Sequence, residues 1–329
     1  MRTLLRAGQL HRDTTLSPSL NPPSFRIMRK IRKERVSGSL LCVKKQLPPA
    51  RQEKQQQKQQ QRQNQVSRLV MSHVSFSALK NWDRCAFYHK LTYIDKLRLF
   101  KGNEYTAFGT ALHSVCEGLL LDRLTEDEAP SSFKEYFREE LDLLPEDLDK
   151  RKALIVEMFD QGRSLSTQVM SAVEDYFGEE YEIVSTEEQI LEPIRDFTDE
   201  QYDFKGFIDA VFKTPDGKYH IVDWKTCSWG WDARRKSDRM TTYQLTFYKY
   251  YFAIKHGIDP KNIETHFALL KRTAKKNNVE FFRVTSGNKK TQNAIKFLTT
   301  ALYNITRKKY TKNRLACSSC EFHRTKHCP

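Results

Sequence analysis

The chain has 329 residues, 39% of them hydrophobic, and a formal net charge of +15. That length holds one large domain or two small ones, and 20 Phe with 14 Tyr supply a sizeable core. No stretch reaches the roughly 18 consecutive apolar residues of a membrane span, so the expectation is a soluble protein with no membrane partner.

The charge is unevenly spread. Residues 1–70 hold 16 Lys+Arg against 3 Asp+Glu, residues 71–254 hold 23 against 34, and residues 255–329 hold 17 against 4. An acidic middle beside a basic C-terminal part suits metal-dependent chemistry on a phosphate backbone; ordinary solvated charge is the plainer alternative. The 7 cysteines are an odd number without a clear secretory signal, which argues against a disulfide framework.

Residues 1–70 contain "NPPS", "RKIRKER" and "RQEKQQQKQQQRQNQ". Such a composition cannot bury enough apolar area to offset chain entropy, so a disordered basic, Gln-rich leader is expected. Its Arg and Ser content also fits a mitochondrial transit peptide. A third possibility is that Met71 is the true start. From residue 75 the pattern turns helical. Phe76, Leu79, Trp82, Cys85 and Ala86 recur at helix spacing, with Ser75 or Ser77 as cap. "YTAFGTALHSVCEGLLLDRL" predicts a second helix, and residues 131–142 and 150–178 predict two more, the latter long and amphipathic. The period then shifts to two: "YEIVSTEEQILEPI", "YDFKGFIDAVFK" and "KYHIVDWKT" predict strands. A helix over "RMTTYQLTFYKYYFAIKHG", strands over "NIETHFALLKR" and "VEFFRVT", and a helix over 288–309 complete a mixed α/β pattern.

Within the predicted strands, Asp209, Asp223 and Lys225 interrupt two apolar runs joined by a Pro-Asp-Gly turn. Unpaired buried charge is costly, so these residues need a partner or a chemical task. Asp209 and Asp223 on neighbouring antiparallel strands can converge on one hard cation such as Mg²⁺. Lys225 shares a strand face with Asp223 and can position water or stabilise developing charge. His113 and Glu117 share a helical face, and an imidazole added to two carboxylates tolerates Mn²⁺ as well as Mg²⁺. Gln244 and Tyr248 share a face of a later helix. The competing account is a surface hairpin whose charges pair in water, with an ordinary helical His and a packed aromatic helix.

Four segments in order, "FGTALHSVCE", "GFID", "VDWKT" and "YQLTFY", resemble the RecB-like branch of the PD-(D/E)XK nuclease superfamily. The resemblance spans roughly residues 72–329 and extends to the AddB-type, iron–sulfur exonucleases. It implies a restriction-endonuclease-like core: a mixed central β-sheet flanked by helices. It places metal ligation on His113, Asp209 and Asp223, catalysis on Lys225, and substrate contact on Gln244 and Tyr248.

"CSSCEFHRTKHCP" brings Cys317, Cys320 and Cys328 close together, a pattern of metal ligation that needs a fourth ligand. Cys85, in "WDRCAFYHK", is the candidate. In the iron–sulfur members of the resembled family one Cys precedes the core and three follow it, so the resemblance implies a [4Fe–4S] cluster stapling the two ends. The long gap before Cys328 leaves His323 and His327 as ligands and Zn²⁺ as the alternative. Cys116 and Cys227 are expected to be core thiols, and Cys42 has no matching partner.

The basic segments "LLKRTAKKN", "GNKK" and "TRKKYTKNR" are expected to bind phosphates without reading sequence. Trp229 or Trp231 can stack unpaired bases while Arg234, Arg235 and Lys236 hold the backbone. The organisation expected is a leader over 1–70 and a nuclease domain over 71–329, divided into a helical part (71–180), a core (181–310) and a Cys-rich tail (311–329). The function expected is a metal-dependent DNA exonuclease acting on single-stranded ends in recombination, repair or phage DNA processing. Its setting would be the cytoplasm of a bacterium or phage-infected cell, or the mitochondrion if the leader is a transit peptide. A separate helicase or recombination partner would supply unwinding. The alternative is a non-catalytic nucleic-acid-binding module that keeps the fold.

Overall fold

The computed structural model describes residues 72–145 and 151–329. The expected leader, and Cys42 within it, lie outside the described residues.

A short strand β1 (Ser72–Ser75) leads directly into helix α1 (Phe76–Arg84). Ser75 is the cap: its hydroxyl accepts the Ala78 N–H at 3.2 Å. Helix α2 (Ala86–His89) continues into a π-helical turn over Lys90–Ile94. Helix α3 (Glu104–Leu120) starts at a capping box: Asn103 Oδ1 accepts from Tyr105 and Thr106 N–H, and Thr106 Oγ1 accepts from Asn103 N–H at 2.9 Å. Helix α4 (Ala129–Asp142) packs beside it.

The long helix expected over 150–178 is two helices, α5 (Lys152–Ser166) and α6 (Val169–Phe177). The break has a local cause. Ser166 donates to Arg163 O, and Thr167 and Gln168 donate to Ser164 O at 3.0 and 2.7 Å, taking carbonyls the next helical turn needs.

The strands follow: β2 (Glu182–Pro193), β3 (Tyr202–Lys213) and β4 (Tyr219–Cys227). After a short α7 (Ala233–Ser237), helix α8 (Arg239–His256) stops at Gly257, whose φ of 65° suits a residue without Cβ. Strands β5 (Ile263–Lys271) and β6 (Val279–Arg283) and helix α9 (Asn288–Thr306) complete the layers. The sheet is mixed: β1 with β3 and β4 with β5 run parallel, while β2 with β3, β3 with β4, and β5 with β6 run antiparallel.

Strand β3 organises the sheet. Residues 203–205 pair with both β1 and β2, and residues 210–213 pair with both β2 and β4. A strand has two edges, so β1 and β4 share the edge opposite β2. Between them, "GFID" (206–209) has no strand partner on that edge. The sheet therefore opens where the acidic motif begins.

Side chains alternate between two layers, as period two requires. On one face, Ile221, Phe267 and Leu269 pack with Leu245, Phe247 and Phe252 of α8 and Leu298 of α9. On the other, Val222, Trp224 and Ala268 pack with Phe108, Leu112 and Val115 of α3 and Phe133 and Phe137 of α4. Both layers are fully apolar at their centres, so α3 and α8 are pinned across opposite faces of the same opening.

The C-terminal tail folds back onto α1 and α2. Phe87 N–H donates to Thr311 O at 3.2 Å, Asn313 Nδ2 donates to Arg84 O at 2.9 Å, and Tyr88 Oη donates to Glu321 at 2.9 Å. Phe322 is wholly buried against the Tyr88 ring.

Candidate active site

The site lies at the gap in the β3 edge. The ladder between β3 and β4 ends at Ala210 and Val222. One residue further, the Asp209 carboxylate accepts the Trp224 N–H at 2.7 Å, so a side chain satisfies a donor the ladder has left. From α3, His113 Nδ1 stands 3.7 Å from Asp209 Oδ2. Asp223 is 1% exposed; its Oδ2 pairs with Lys225 Nζ and its Oδ1 accepts from Gln244 Nε2 at 2.7 Å. Gln244 also reaches Tyr248 Oη at 3.2 Å. All six residues named from the sequence thus come together, contributed by α3, β3, β4 and α8.

The donor atoms of His113, Asp209 and Glu187 lie within 4.8 Å of one another, which adds Glu187 to the residues named from the sequence. Asp223 stands alongside, engaged by Lys225 and Gln244. Tyr248 is buried, and Gln244 points at Asp223, so the two brace a carboxylate from the helical side.

Glu187 was not singled out from the sequence. It falls between Thr186, paired with Ala210, and Glu188, paired with Ile208, which puts it opposite Asp209. Its φ of +46° is unusual for a side-chain-bearing residue in a strand, and the strand register shifts nearby, between Ile183 and Ser185. Local backbone strain of this kind collects at functional sites. The available signal was the adjacent pair Glu187-Glu188 in a predicted strand, where alternation sends the two to opposite faces. Glu188 does face elsewhere, pairing with Lys255 and His256.

Gly206 has a specific task. A Cβ there would stand 2.7 Å from the Tyr248 ring, so the space that glycine leaves is filled by this tyrosine.

The electrostatics are those of a compressed charge cluster. Burial, then the charge of Asp223, raises the Asp209 carboxyl well above the usual carboxylate range. Burial and then Glu117 and Asp223 raise Glu187. Burial followed by Lys225 lowers His113 to about 4, so its ring is neutral at neutral pH and has a lone pair to offer. Burial pulls Lys225 down, but Asp223 and Asp209 outweigh it and hold its ammonium above its ordinary value. An imidazole nitrogen and carboxylate oxygens converging at a polar opening fit a divalent cation such as Mg²⁺ or Mn²⁺.

Cys85, Cys317, Cys320 and Cys328 line one cavity of about 50 Å³, with His323 also on its wall. Cys85 Sγ accepts the Asn313 N–H at 3.3 Å. Cys116 is fully buried and Cys227 packs partly buried against the core, as expected of core thiols.

The expected base-stacking surface is corrected in part. Trp231 is 9% exposed and packs on Phe267 and Phe282, with Arg235 over its ring; Trp229 is 78% exposed. Lys236 pairs with Glu280, and Lys271 with the same carboxylate at 2.9 Å. Arg272 is buried against Gln161 and Ser228. These cations are engaged by Glu280, Gln161 and Ser228, whereas Lys275, Lys276, Lys289, Lys308 and Lys309 remain exposed.

No curated protein sequence matches the chain. Its structure is similar to the crystal structure of a proposed exonuclease from Eubacterium rectale, at 13% identity and a TM-score of 0.50, covering 77% of this chain and 87% of that one. A second solved structure, of the protein SSO0001, covers 66% of this chain and 92% of that one at 12% identity and a TM-score of 0.33. Among the described residues no helix is long and apolar enough to cross a membrane. The sequence profile of the PD-(D/E)XK nuclease superfamily, whose members use divalent metals, matches residues 73–325. With a mixed sheet flanked by helices and an acidic cluster at its opening, the chain belongs to the PD-(D/E)XK nuclease superfamily.

Proposed function

We propose that the protein is a divalent-metal-dependent deoxyribonuclease that degrades DNA from single-stranded ends. The observation that carries this reading is the meeting of His113, Glu187 and Asp209 at the open edge of β3, beside the Lys225–Asp223–Gln244–Tyr248 chain. His113, Glu187 and Asp209 would hold the ion, with Asp223 completing the acidic set. A bound Mg²⁺ or Mn²⁺ supplies charge neutralisation at the phosphate and a more acidic water.

The chain's own residues do the rest. Lys225, held as an ammonium, suits stabilising charge on phosphate oxygens better than removing a proton from water. Gln244, anchored on Tyr248, is a positioning residue: it keeps Asp223 turned toward the opening. Lys80 lies near enough to Lys225 and Arg235 that, after burial, their charges lower its pKa, which supports a cationic approach for the phosphate backbone. Trp229 is exposed for stacking on unpaired bases.

Four cysteines around one cavity support a [4Fe–4S] cluster, which takes four thiolates, with Zn²⁺ the alternative given His323 on the same wall. Residues 71–329 are then one nuclease domain whose ends the cluster joins. The proposed setting is a bacterial or phage-infected cytoplasm, in recombination, repair or phage DNA processing, with unwinding supplied by a separate partner.

The test is digestion of single-stranded DNA labelled at the 5′ or 3′ end, with a circular control, in Mg²⁺ or Mn²⁺. Linear DNA should be degraded and circles spared, and Asp223→Ala and Lys225→Ala should each abolish degradation. Undiminished cleavage by both variants would overturn the assignment. Salt-sensitive binding without turnover by the unaltered protein would instead leave a non-catalytic binding module. Iron and sulfide content of anaerobically purified protein separates the cluster from zinc.

A further inference from the structure

We propose a second metal site, of a different chemical kind, built from His220, Glu264 and His266. It stands on β4 and β5, away from the open edge of β3. Its donor atoms lie within 4.8 Å of one another. The strands place them. His220 and Glu264 are register partners on parallel β4 and β5, and His266 follows Glu264 by two residues, so Glu264 and His266 share a sheet face. Both histidines are almost wholly buried, at 8% and 2% exposure.

The proton positions prepare the site. Thr214 Oγ1 donates to Asp216, whose carboxyl is held down to about 2 by hydrogen bonds from Thr214 and Lys218 and is therefore ionised. A hydroxyl has one proton, so Thr214 must accept from His220 Nε2–H, at 2.9 Å. That fixes the tautomer of His220 and leaves a lone pair on Nδ1. This nitrogen faces His266 Nε2 at 3.1 Å. Two nitrogens so spaced can both lie about 2.0–2.1 Å from one ion.

The metal-free and metal-bound states would differ in where His266 carries its one proton, not in the number of protons. Without metal, His266 Nε2–H donates to His220 Nδ1, and Tyr176 Oη–H donates to His266 Nδ1 at 3.1 Å. With metal, His266 would give up the Nε2 proton to solvent and take one up at Nδ1, remaining a neutral ring whose Nδ1–H donates to the Tyr176 oxygen. Each ligating ring then has a hydroxyl fixing its outer nitrogen, the arrangement usual around bound metals. The Glu264 carboxylate supplies the third donor; its Oε1 also meets Arg283 Nη2 at 3.2 Å and Lys218 Nζ at 3.7 Å. These two cations neutralise part of its charge and moderate the affinity.

Two imidazoles and one carboxylate select Zn²⁺ or a similar transition metal over Mg²⁺. The ion would cross-link β4, β5 and, through Tyr176, the C-terminal end of α6. Its role is to clamp the sheet, separately from the carboxylate cluster.

The test is equilibrium dialysis of the full chain against Zn²⁺ in excess Mg²⁺, with bound zinc counted by elemental analysis. The unaltered protein should retain one equivalent more than His266→Gln and one more than Glu264→Gln, and zinc should raise the melting temperature of the unaltered protein more than of either variant. Far-UV circular dichroism checks that the variants are folded. If His266→Gln fails to fold, Glu264→Gln decides, because it leaves both rings in place. Equal zinc content in unaltered protein and folded variants would overturn the proposal.

Discussion

Asp209 takes the backbone N–H of Trp224, at 2.7 Å, at the point where β3 and β4 cease to pair. The same carboxylate faces His113 from the α3 layer. One residue therefore closes the ladder and opens the site. Asp209→Asn should disturb both: the side chain can present its amide to Trp224 or to the metal-binding space with the wrong donor. We expect loss of cleavage by about 10²–10³-fold, with far-UV circular dichroism unchanged. Near-normal turnover by Asp209→Asn would remove it from the metal-binding set.

Glu187 should behave as a ligand despite its exposure. Glu187→Gln keeps size and removes charge, so the Mg²⁺ or Mn²⁺ concentration giving half-maximal activity should rise about 10–100-fold. Glu188→Gln, one residue away and paired with Lys255 and His256, should leave that concentration unmoved. A metal titration of both variants separates the two outcomes.

Gln244→Ala removes the donor that holds Asp223 Oδ1 and leaves Asp223 with Lys225 alone. Metal affinity or activity should fall about 10–100-fold. A positioning role predicts substantial rescue by Gln244→Asn only if the shorter amide reaches Asp223. It also predicts no change in single-stranded DNA affinity measured in the presence of Ca²⁺. A loss of affinity alone would instead mark Gln244 as a substrate contact.

Gly162→Ala should be strongly destabilising. A Cβ at this position of α5 would fall 2.0 Å from the Phe133 ring of α4, which is itself fully buried. Overpacking of this kind costs about 1–3 kcal/mol or more, read as a lower denaturant midpoint. Phe133→Leu in the same chain should recover part of the loss.

Acid should destabilise the metal-free protein below neutral pH. Burial lowers His89 to about 4, and burial with neighbouring His220 and Arg283 lowers His266 to about 3. The unfolded chain takes up these protons near the ordinary 6.5, while the folded chain refuses them. The contribution is therefore fully present above about 6.5 and is lost as pH falls toward 4. Each ring accounts for up to about 1.4 kcal/mol per pH unit in that window. Chelator-treated protein should show a melting temperature that falls from pH 7 to 5, and less steeply in His89→Gln.

The strands and most helices were legible because their causes are local. Apolar runs around Phe204, Ile208, Ile221 and Val222, joined by a Pro-Asp-Gly turn, mark β3 and β4, and Ser75 and Gly257 mark helix ends. The helix break at Thr167 was not legible, since serine and threonine compete for carbonyls only once the chain is helical.

The sequence by itself pointed to the candidate residues: strand pattern and turn put Asp209, Asp223 and Lys225 on neighbouring strands, and the resemblance to the PD-(D/E)XK nucleases joined His113, Gln244 and Tyr248 to them. Tertiary structure alone decided the rest. That β1 and β4 share one edge of β3, that Glu187 lies opposite Asp209, that Trp231 is buried and Trp229 is not, and that His220 and His266 join across β4 and β5 all depend on register between distant segments. Register is set by which apolar faces the whole core can bury together, and a short stretch of sequence does not carry that information.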